Sequence, residues 1–420
     1  MHSDAGGLAR TMAQGARAAS RRLLLSSSDA RIRALVRAAE LLRATKADIA
    51  SSNAIDLENA KASGKNEAFI DRLVLDDRRI EAMAQAVSEV AHFDEVLGTT
   101  LSETLRPNGL VVRRVRVPIG VVMMVYESRP NVTIEAASLC LKAGNAIILR
   151  GGREAFETNQ ALARVLTQAI VEQGLPEAAV QLVPTADREV IGQLLLQHES
   201  IDLAIPRGGE ALIRYVTENA RIPVVRHYKG VCHMFLDEGS ELETASRLVH
   251  NAKMQRPGVC NALECLLVHR AEVGRLLVPI VNSLIDAGCE IRGCEVTCAA
   301  VPRARAATQA DWGFEFLDRV LAIKVVNNLD ESMAHIARYG SGHTEAIITP
   351  NQIHADQFRQ GVDAACVVVN ASTRFHDGGE LGLGAEIGIA TSRLHWRGAM
   401  GLESLTTMKW IIEGSGQSRT

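Results

Sequence analysis

The segment Asn251-Ala-Lys-Met-Gln-Arg-Pro-Gly-Val-Cys-Asn-Ala-Leu-Glu264 gathers the residue types that thiolate chemistry needs. Cys260 follows Pro257-Gly258 at what reads as a loop-to-helix junction, where free backbone N–H groups and a helix N-terminus would stabilise a thiolate. Lys253 and Arg256 add positive charge to the same stretch. The same donors would hold the oxyanion formed when a thiolate attacks a carbonyl carbon. Spacing alone leaves a second reading open for Cys260, that of a packed thiol. Cys265, five residues on in an apolar run, fits that second reading.

Three further segments are of the kind that approaches a nucleotide. Pro118-Ile-Gly-Val-Val-Met-Met-Val-Tyr-Glu-Ser-Arg-Pro-Asn131 and Leu141-Lys-Ala-Gly-Asn-Ala-Ile-Ile-Leu-Arg-Gly-Gly152 each read as a buried strand ending in polar or glycine residues. Backbone can come close to a phosphate there. Ile205-Pro-Arg-Gly-Gly209, before the helix expected over 210–219, is a glycine-rich helix entrance with a cation, Arg207. None has the Gly-x-Gly-x-x-Gly spacing of the usual dinucleotide fingerprint, and each also fits a plain turn before a helix.

The elements that must hold these segments follow from periodicity. Ile32, Leu35, Val36, Ala39 and Leu42 recur at helical spacing, so the first hundred residues read as mainly helical scaffold. Leu110 to Val117 alternates aliphatic and basic residues, as a half-exposed strand does. From there strands (120–126, 146–149, 180–183) alternate with helices (132–142, 161–173, 191–197), the pattern of a parallel sheet with crossover helices and ligands at its strand ends. A second round has strands at 265–268, 321–326, 346–349 and 365–370. With 420 residues, two or more domains are expected.

Composition narrows the function. A formal net charge of −3 argues against a nucleic-acid surface built on a large basic excess. Arg10, Arg17, Arg21 and Arg22 precede Leu23 to Leu25, but Ser26 to Asp29 end that apolar run too early for a signal peptide. The stretch 276–285 is broken by Pro279, Asn282 and Ser283, so no membrane span is expected and the chain reads as cytoplasmic. Cys140, Cys232, Cys260, Cys265, Cys289, Cys294, Cys298 and Cys366 are scattered and read as reduced thiols. Cys289, Cys294 and Cys298 lack a Cys-x-x-Cys pair and a nearby histidine, so they read as buried small side chains and no metal is expected.

Together the segments resemble the aldehyde dehydrogenase superfamily, and the match sharpens to its gamma-glutamyl phosphate reductase family over most of the chain. The distinctive strings are Tyr126-Glu-Ser-Arg-Pro-Asn-Val-Thr133, Gln255-Arg-Pro-Gly-Val-Cys-Asn261, Val369-Asn-Ala-Ser-Thr-Arg-Phe375, Gly382-Leu-Gly-Ala-Glu386 and Leu394-His-Trp-Arg-Gly-Ala-Met-Gly-Leu-Glu-Ser-Leu-Thr-Thr407. The resemblance implies an α/β fold of aldehyde dehydrogenase type: two doubly wound parallel-sheet domains and a small oligomerisation element. The expected boundaries are 1–232 for the NADPH-binding domain, 233–371 for the catalytic domain and 372–420 for the return. The oligomerisation element would join 101–118 to 402–412, giving a homo-oligomeric dimer or tetramer.

The implied reaction is reduction of L-glutamyl 5-phosphate to L-glutamate 5-semialdehyde in proline biosynthesis, through a Cys260 thioester and hydride from NADPH. By the same resemblance Asn131 joins the backbone N–H of Cys260 as oxyanion donor, and Glu315 holds the nicotinamide ribose. Asn131 also fits a turn residue, and Glu315 an exposed loop acid. Arg150, with Gly151 and Gly152 behind it and Arg153 close by, stands where the superfamily contacts the adenosine ribose, and a guanidinium there suits a 2′-phosphate. Gly208 and Gly209 match the helix entrance under the pyrophosphate.

One departure from the wider superfamily is informative. Hydrolytic members carry a general-base glutamate in a Glu-Leu-Gly-Gly string that activates water on the thioester. Here the comparable stretch is His227-Tyr-Lys-Gly230, as suits an enzyme whose thioester exchanges with phosphate; His227 also fits a substitute base, although a structural or substrate-orienting role suits it better. Arg256 is a candidate phosphate contact, and Glu127, Arg129 and Arg374 have the charges for the amino and carboxylate groups of the substrate, although each also suits a structural salt bridge. A hydrolytic or CoA-acylating dehydrogenase and a non-catalytic nucleotide-binding relative are the rival readings. A partnership with glutamate kinase, which would keep an acyl phosphate from water, is left open.

Overall fold

The structure is a computed structural model and describes residues 4–419. It divides into two compact units. The first holds the chain up to Arg226, Leu383–Gly388 and Met400 onward; the second holds His227–Gly382 and Ile389–Ala399. The division therefore falls at Arg226/His227 and not after residue 232, and residues 372–382 stay with the second unit.

The first unit opens with helices α1 (Ala5–Leu23), α2 (Ser28–Ala44), α3 (Lys46–Ala62), α4 (Glu67–Leu73) and α5 (Asp77–Ala91). Asp4, Ser27, Asn66 and Asp76 each accept a backbone N–H at the start of α1, α2, α4 and α5, which fixes where these helices begin. After β1 (Thr100–Leu105) and β2 (Val111–Pro118) come β3 (Val121–Tyr126), α6 (Asn131–Lys142), β4 (Ala146–Arg150), α7 (Phe156–Glu172), β5 (Val180–Leu182), α8 (Arg188–Leu195), β6 (Leu203–Arg207) and α9 (Glu210–Asn219). The parallel sheet has the order β5-β4-β3-β6, so the winding reverses between β3 and β6. Pro206, which cannot donate to a ladder, lies on the edge strand β6.

The second unit runs β7 (Cys232–Leu236), α10 (Leu242–Met254), β8 (Leu263–His269), α11 (Val278–Asp286), β9 (Glu290–Gly293), α12 (Glu295–Ala300), β10 (Arg305–Ala306), β11 (Val320–Val326), α13 (Leu329–Tyr339), β12 (Thr344–Ile348), α14 (Gln352–Gly361) and β13 (Cys366–Val369). These strands form a parallel sheet of order β10-β9-β11-β8-β7-β12-β13, doubly wound about the β8/β7 pair. Its central strands β7, β8, β11 and β12 read as mainly apolar runs because both faces are covered. Met234, Leu236, Leu266, Val268 and Ile323 enter one core, whereas Phe235, Cys265, Leu267 and Ala322 enter the other. Cys289 is buried in the first core, and burial pushes its thiol up to about 11.

After the short pair β14 (Gly388–Ala390) and β15 (Gly398–Met400), strand β16 (Thr406–Glu413) pairs antiparallel with β2, Thr407 opposite Val117 and Ile412 opposite Val112. With β1 on the other edge this makes an antiparallel ribbon of order β1-β2-β16. It leaves Leu105, Trp410 and Ile412 exposed, and the Arg114 guanidinium stacks on Trp410. Among the described residues no helix is long and apolar enough to cross a membrane.

Candidate active site

Cys260 does not open a helix. α10 ends at Met254 and the next element is β8, so the cysteine lies in a turn that leads into a strand. The expected helix N-terminus behind the thiol is thereby corrected. Pro257 has no N–H to extend α10, and the buried run from Leu263 commits the chain to the sheet. Lys253 is corrected as well. Its ammonium lies 2.7 Å from the Glu264 carboxylate with both side chains fully buried, so its charge is matched inside the unit and not offered to the thiol. Burial pushes Glu264 up to about 7 against the pull of Lys253 and a 3.1 Å hydrogen bond from the Leu317 N–H. This ion pair ties the end of α10 to the start of β8, the two ends of the turn.

The turn is gripped from several sides. A Cβ at Gly230 would lie 2.0 Å from the Cys260 carbonyl oxygen and 2.7 Å from its Cα, so only glycine lets the His227–Gly230 segment lie against it. Gly230 N–H donates to Glu315 Oε1 at 2.8 Å, and the Cys232 thiol donates to the Cys260 carbonyl at 3.2 Å. Arg374 brackets the turn: its Nε donates to Gln255 Oε1 at 3.0 Å and its Nη1 to Asn261 Oδ1. Burial, and less strongly the nearby charge of Arg256, draw the Arg374 guanidinium below its ordinary range, with Asp377 and Cys260 opposing. Arg256 itself is exposed. Cys260, Arg256, Arg374 and Glu315 are thus brought to one place. Gly230, Cys260 and Glu315 immediately precede or lie within a few residues of β7, β8 and β11, so this group is built at the amino ends of the strands.

No local pattern marks the histidine chain that lies beside this turn. Ala399 N–H donates to His376 Nε2 at 3.2 Å, so the proton of that ring is on Nδ1, 2.7 Å from Thr344 Oγ1. The Thr344 hydroxyl then donates to His343 Nδ1, also at 2.7 Å. His343 Nε2 is left buried without a hydrogen-bond partner, and its ring meets that of His227 edge-on at 6.0 Å. Burial holds His376 down at about 4 and His343 well below the usual histidine range, so both rings are neutral near pH 7.

In the first unit the expected nucleotide residues stand at the carboxyl ends of the strands. Glu127 and Gly209 meet where the winding reverses between β3 and β6: the Gly209 N–H donates to Glu127 Oε2 at 2.8 Å. Glu127, expected among the substrate contacts, is therefore placed as the anion at the N-terminus of α9. A Cβ at Gly208 would fall 2.4 Å from that carboxylate. After β4, a Cβ at Gly151 would lie 2.1 Å from Asn159 Nδ2 and one at Gly152 2.1 Å from Glu154 Oε1. Arg150 is nearly buried and donates to the carbonyls of Gly151 (2.9 Å) and Ala186 (3.1 Å), while its Nε has no partner. Arg129 and Arg153 are exposed. Asn131 is the first residue of α6, and its Nδ2 donates to Glu135 Oε1 at 2.7 Å.

Two doubly wound parallel sheets, one carrying a glycine-rich crevice and the other a gripped cysteine turn, define an α/β protein of aldehyde dehydrogenase type. The model of the aldehyde dehydrogenase family matches residues 6–284. A gamma-glutamyl phosphate reductase of Sorangium cellulosum is 54% identical over 99% of both chains, and one of Desulfatibacillum aliphaticivorans is 53% identical over 97% of this chain and 98% of the other. The crystal structure of gamma-glutamyl phosphate reductase from Thermotoga maritima superposes with a TM-score of 0.97 at 43% identity, covering 98% of this chain and all of that one. The chain belongs to the aldehyde dehydrogenase family and, within it, to the gamma-glutamyl phosphate reductases.

Proposed function

We propose that this protein reduces L-glutamyl 5-phosphate to L-glutamate 5-semialdehyde and inorganic phosphate, with NADPH as reductant and Cys260 as the covalent nucleophile, in proline biosynthesis. The observation that carries the reading is the segment His227-Tyr-Lys-Gly230, which lies against the Cys260 backbone through Gly230. Its side chains are an imidazole, a phenol and an ammonium, so it brings no carboxylate to activate water on a thioester. The Glu315 oxygen nearest the segment is occupied by the Gly230 N–H.

In this mechanism the Cys260 thiolate attacks the acyl carbon of the substrate. By its family position Asn131, through the N–H that Glu135 does not take, would join the Cys260 N–H in holding the oxyanion. Collapse expels phosphate toward the cations Arg256 and Arg374 and leaves the Cys260 thioester. The chemistry that a nicotinamide cofactor would supply when bound is a hydride to the thioester carbon, and the Cys260 hemithioacetal would then release the aldehyde and regenerate the thiolate.

The first unit fits such a cofactor. Gly151, Gly152 and Gly208 pack against Asn159, Glu154 and Glu127 where no Cβ fits, and they follow the carboxyl ends of β4 and β6, beside the winding reversal where open α/β sheets take nucleotides. Arg150, whose buried Nε lacks a partner, with Gly208 and Gly209 across the crevice, suits the phosphates of NADPH. Glu315 would meet the nicotinamide ribose by its family position. The exposed apolar ribbon β1-β2-β16 is our choice for the contact of a dimer or tetramer.

The reaction run in reverse tests the reading. Purified protein with glutamate 5-semialdehyde and NADP+ is expected to form NADPH only when phosphate is present, and Cys260→Ala is expected to abolish it. Equal rates without phosphate would overturn the phosphorylating mechanism in favour of a hydrolytic one.

A further inference from the structure

A second feature of α6 concerns the far end of the substrate. Asn131, Ile134, Glu135 and Ser138 are spaced i, i+3, i+4 and i+7, which puts them on one face of the helix. The last three line a cavity of about 230 Å³ whose opposite wall is Met83, Ala86, Val87 and Val90 of α5 and whose third side is Gly384, Ala385 and Glu386. The Gly384 wall is fixed in place: Gly384 has φ +73, and a Cβ there would lie 2.3 Å from the Phe93 ring. Most of the lining is apolar, but two carboxylates share the space. Ser138 is 1% exposed, and its Oγ has no hydrogen-bond partner. A buried hydroxyl without a partner is costly and points to a polar ligand.

Resting on the function proposed above, we infer that this cavity is the subsite for the α-ammonium group of the substrate, held by Glu135, Glu386 and Ser138 Oγ. An ammonium has three N–H donors, and these side chains offer it three acceptors. The cavity is too small for a nucleotide but suits a charged head group. The spacing agrees: the amino nitrogen of an extended glutamyl group lies about 5 Å from its acyl carbon, close to the rise of about 5.4 Å for the helical turn that separates Asn131 from Glu135. Glu135 also acts as a positioning residue. Because it accepts one N–H of the Asn131 amide, it fixes which way that amide faces and leaves the second N–H for the acyl oxygen.

The experiment compares two aldehydes in the reverse reaction, glutamate 5-semialdehyde and 5-oxopentanoate, which differ only in the α-amino group. The wild-type protein is expected to favour the amino aldehyde in kcat/KM, chiefly through KM. Glu386→Gln is expected to reduce that preference about 10- to 100-fold, as loss of a charged hydrogen bond does, with the loss falling mainly on the amino aldehyde. Glu135→Gln keeps an oxygen for Asn131 and removes the charge, so the same collapse is expected and can be read if Glu386→Gln does not fold. A wild-type protein that turns over both aldehydes equally, or variants that retain the full preference, would overturn the ammonium subsite and leave the phosphate-dependent reduction standing. Absence of phosphate-dependent turnover of either aldehyde by the wild-type protein would instead refute the function on which the subsite rests.

Discussion

Replacing Gly230 by alanine probes the grip on the nucleophile directly. The added Cβ would lie 2.0 Å from the Cys260 carbonyl oxygen and 2.7 Å from its carbonyl carbon and Cα. Ordinary carbon–oxygen contact is about 3.3 Å, so one backbone must retreat by more than about 1 Å. No side-chain rotation relieves the clash, because every near atom is backbone. Gly230 cannot retreat freely either, since its N–H is bound by Glu315 and β7 begins two residues later. Overpacking of this kind costs about 1–3 kcal/mol, and a displacement of about 1 Å at a reacting atom costs about 100-fold in rate. Gly230→Ala is therefore expected to lower kcat/KM about 100-fold and to slow alkylation of Cys260 by iodoacetamide, followed by peptide mass mapping. Its urea midpoint should fall modestly, in a transition that stays cooperative. Nucleotide affinity should fall far less than turnover, since the glycines and Arg150 of the first unit are untouched and only Glu315 adjoins the change. A folded variant with turnover and alkylation within twofold of wild type would refute the claim that Gly230 sets the position of Cys260.

Three other outcomes follow from the same geometry. Glu264→Gln strands the buried Lys253 ammonium and should destabilise the protein by about 3–5 kcal/mol in urea unfolding, whereas Lys253→Met combined with Glu264→Gln should recover much of the loss. His376 is held at about 4 in the fold against about 6.5 when unfolded, so its contribution to stability is complete above pH 6.5 and is lost as pH falls toward 4. That amounts to about 3 kcal/mol at most, with His343 acting in the same direction, so the gap between urea midpoints measured at pH 7.5 and 5 should narrow in His376→Gln and keep the part due to His343. Asn131→Ala should lower kcat about 100- to 1,000-fold with little change in nucleotide affinity by titration calorimetry, the loss expected for one oxyanion donor.

What the sequence made legible was local, and what it hid was long-range. Strands β3, β4, β5, β8, β11, β12 and β13 could be read because each is a short, mainly aliphatic run, whereas β6, β7, β9 and β10 were not singled out, β9 and β10 being short and partly or wholly exposed; the helix expected over 210–219 has the observed bounds of α9. The turn at Cys260 was misjudged because Pro-Gly marks the end of one helix as well as it marks the start of another, and only the burial of 263–269 decides between them. Lys253 looked like a cation for the thiol because nothing local shows that Glu264, eleven residues on, enters the same buried space. His343 and His376 could not be grouped at all, since Thr344 joins them only once β12 has taken its place and the loop after β13 has folded back. Glu127 and Gly209 lie 82 positions apart and meet because the winding of the sheet reverses between β3 and β6. In both units, then, the distinctive strings mark where a ligand is handled, and strand order decides which partners each string receives. A charge read beside a nucleophile in sequence is evidence about that nucleophile only after the sheet has shown which face the charge occupies.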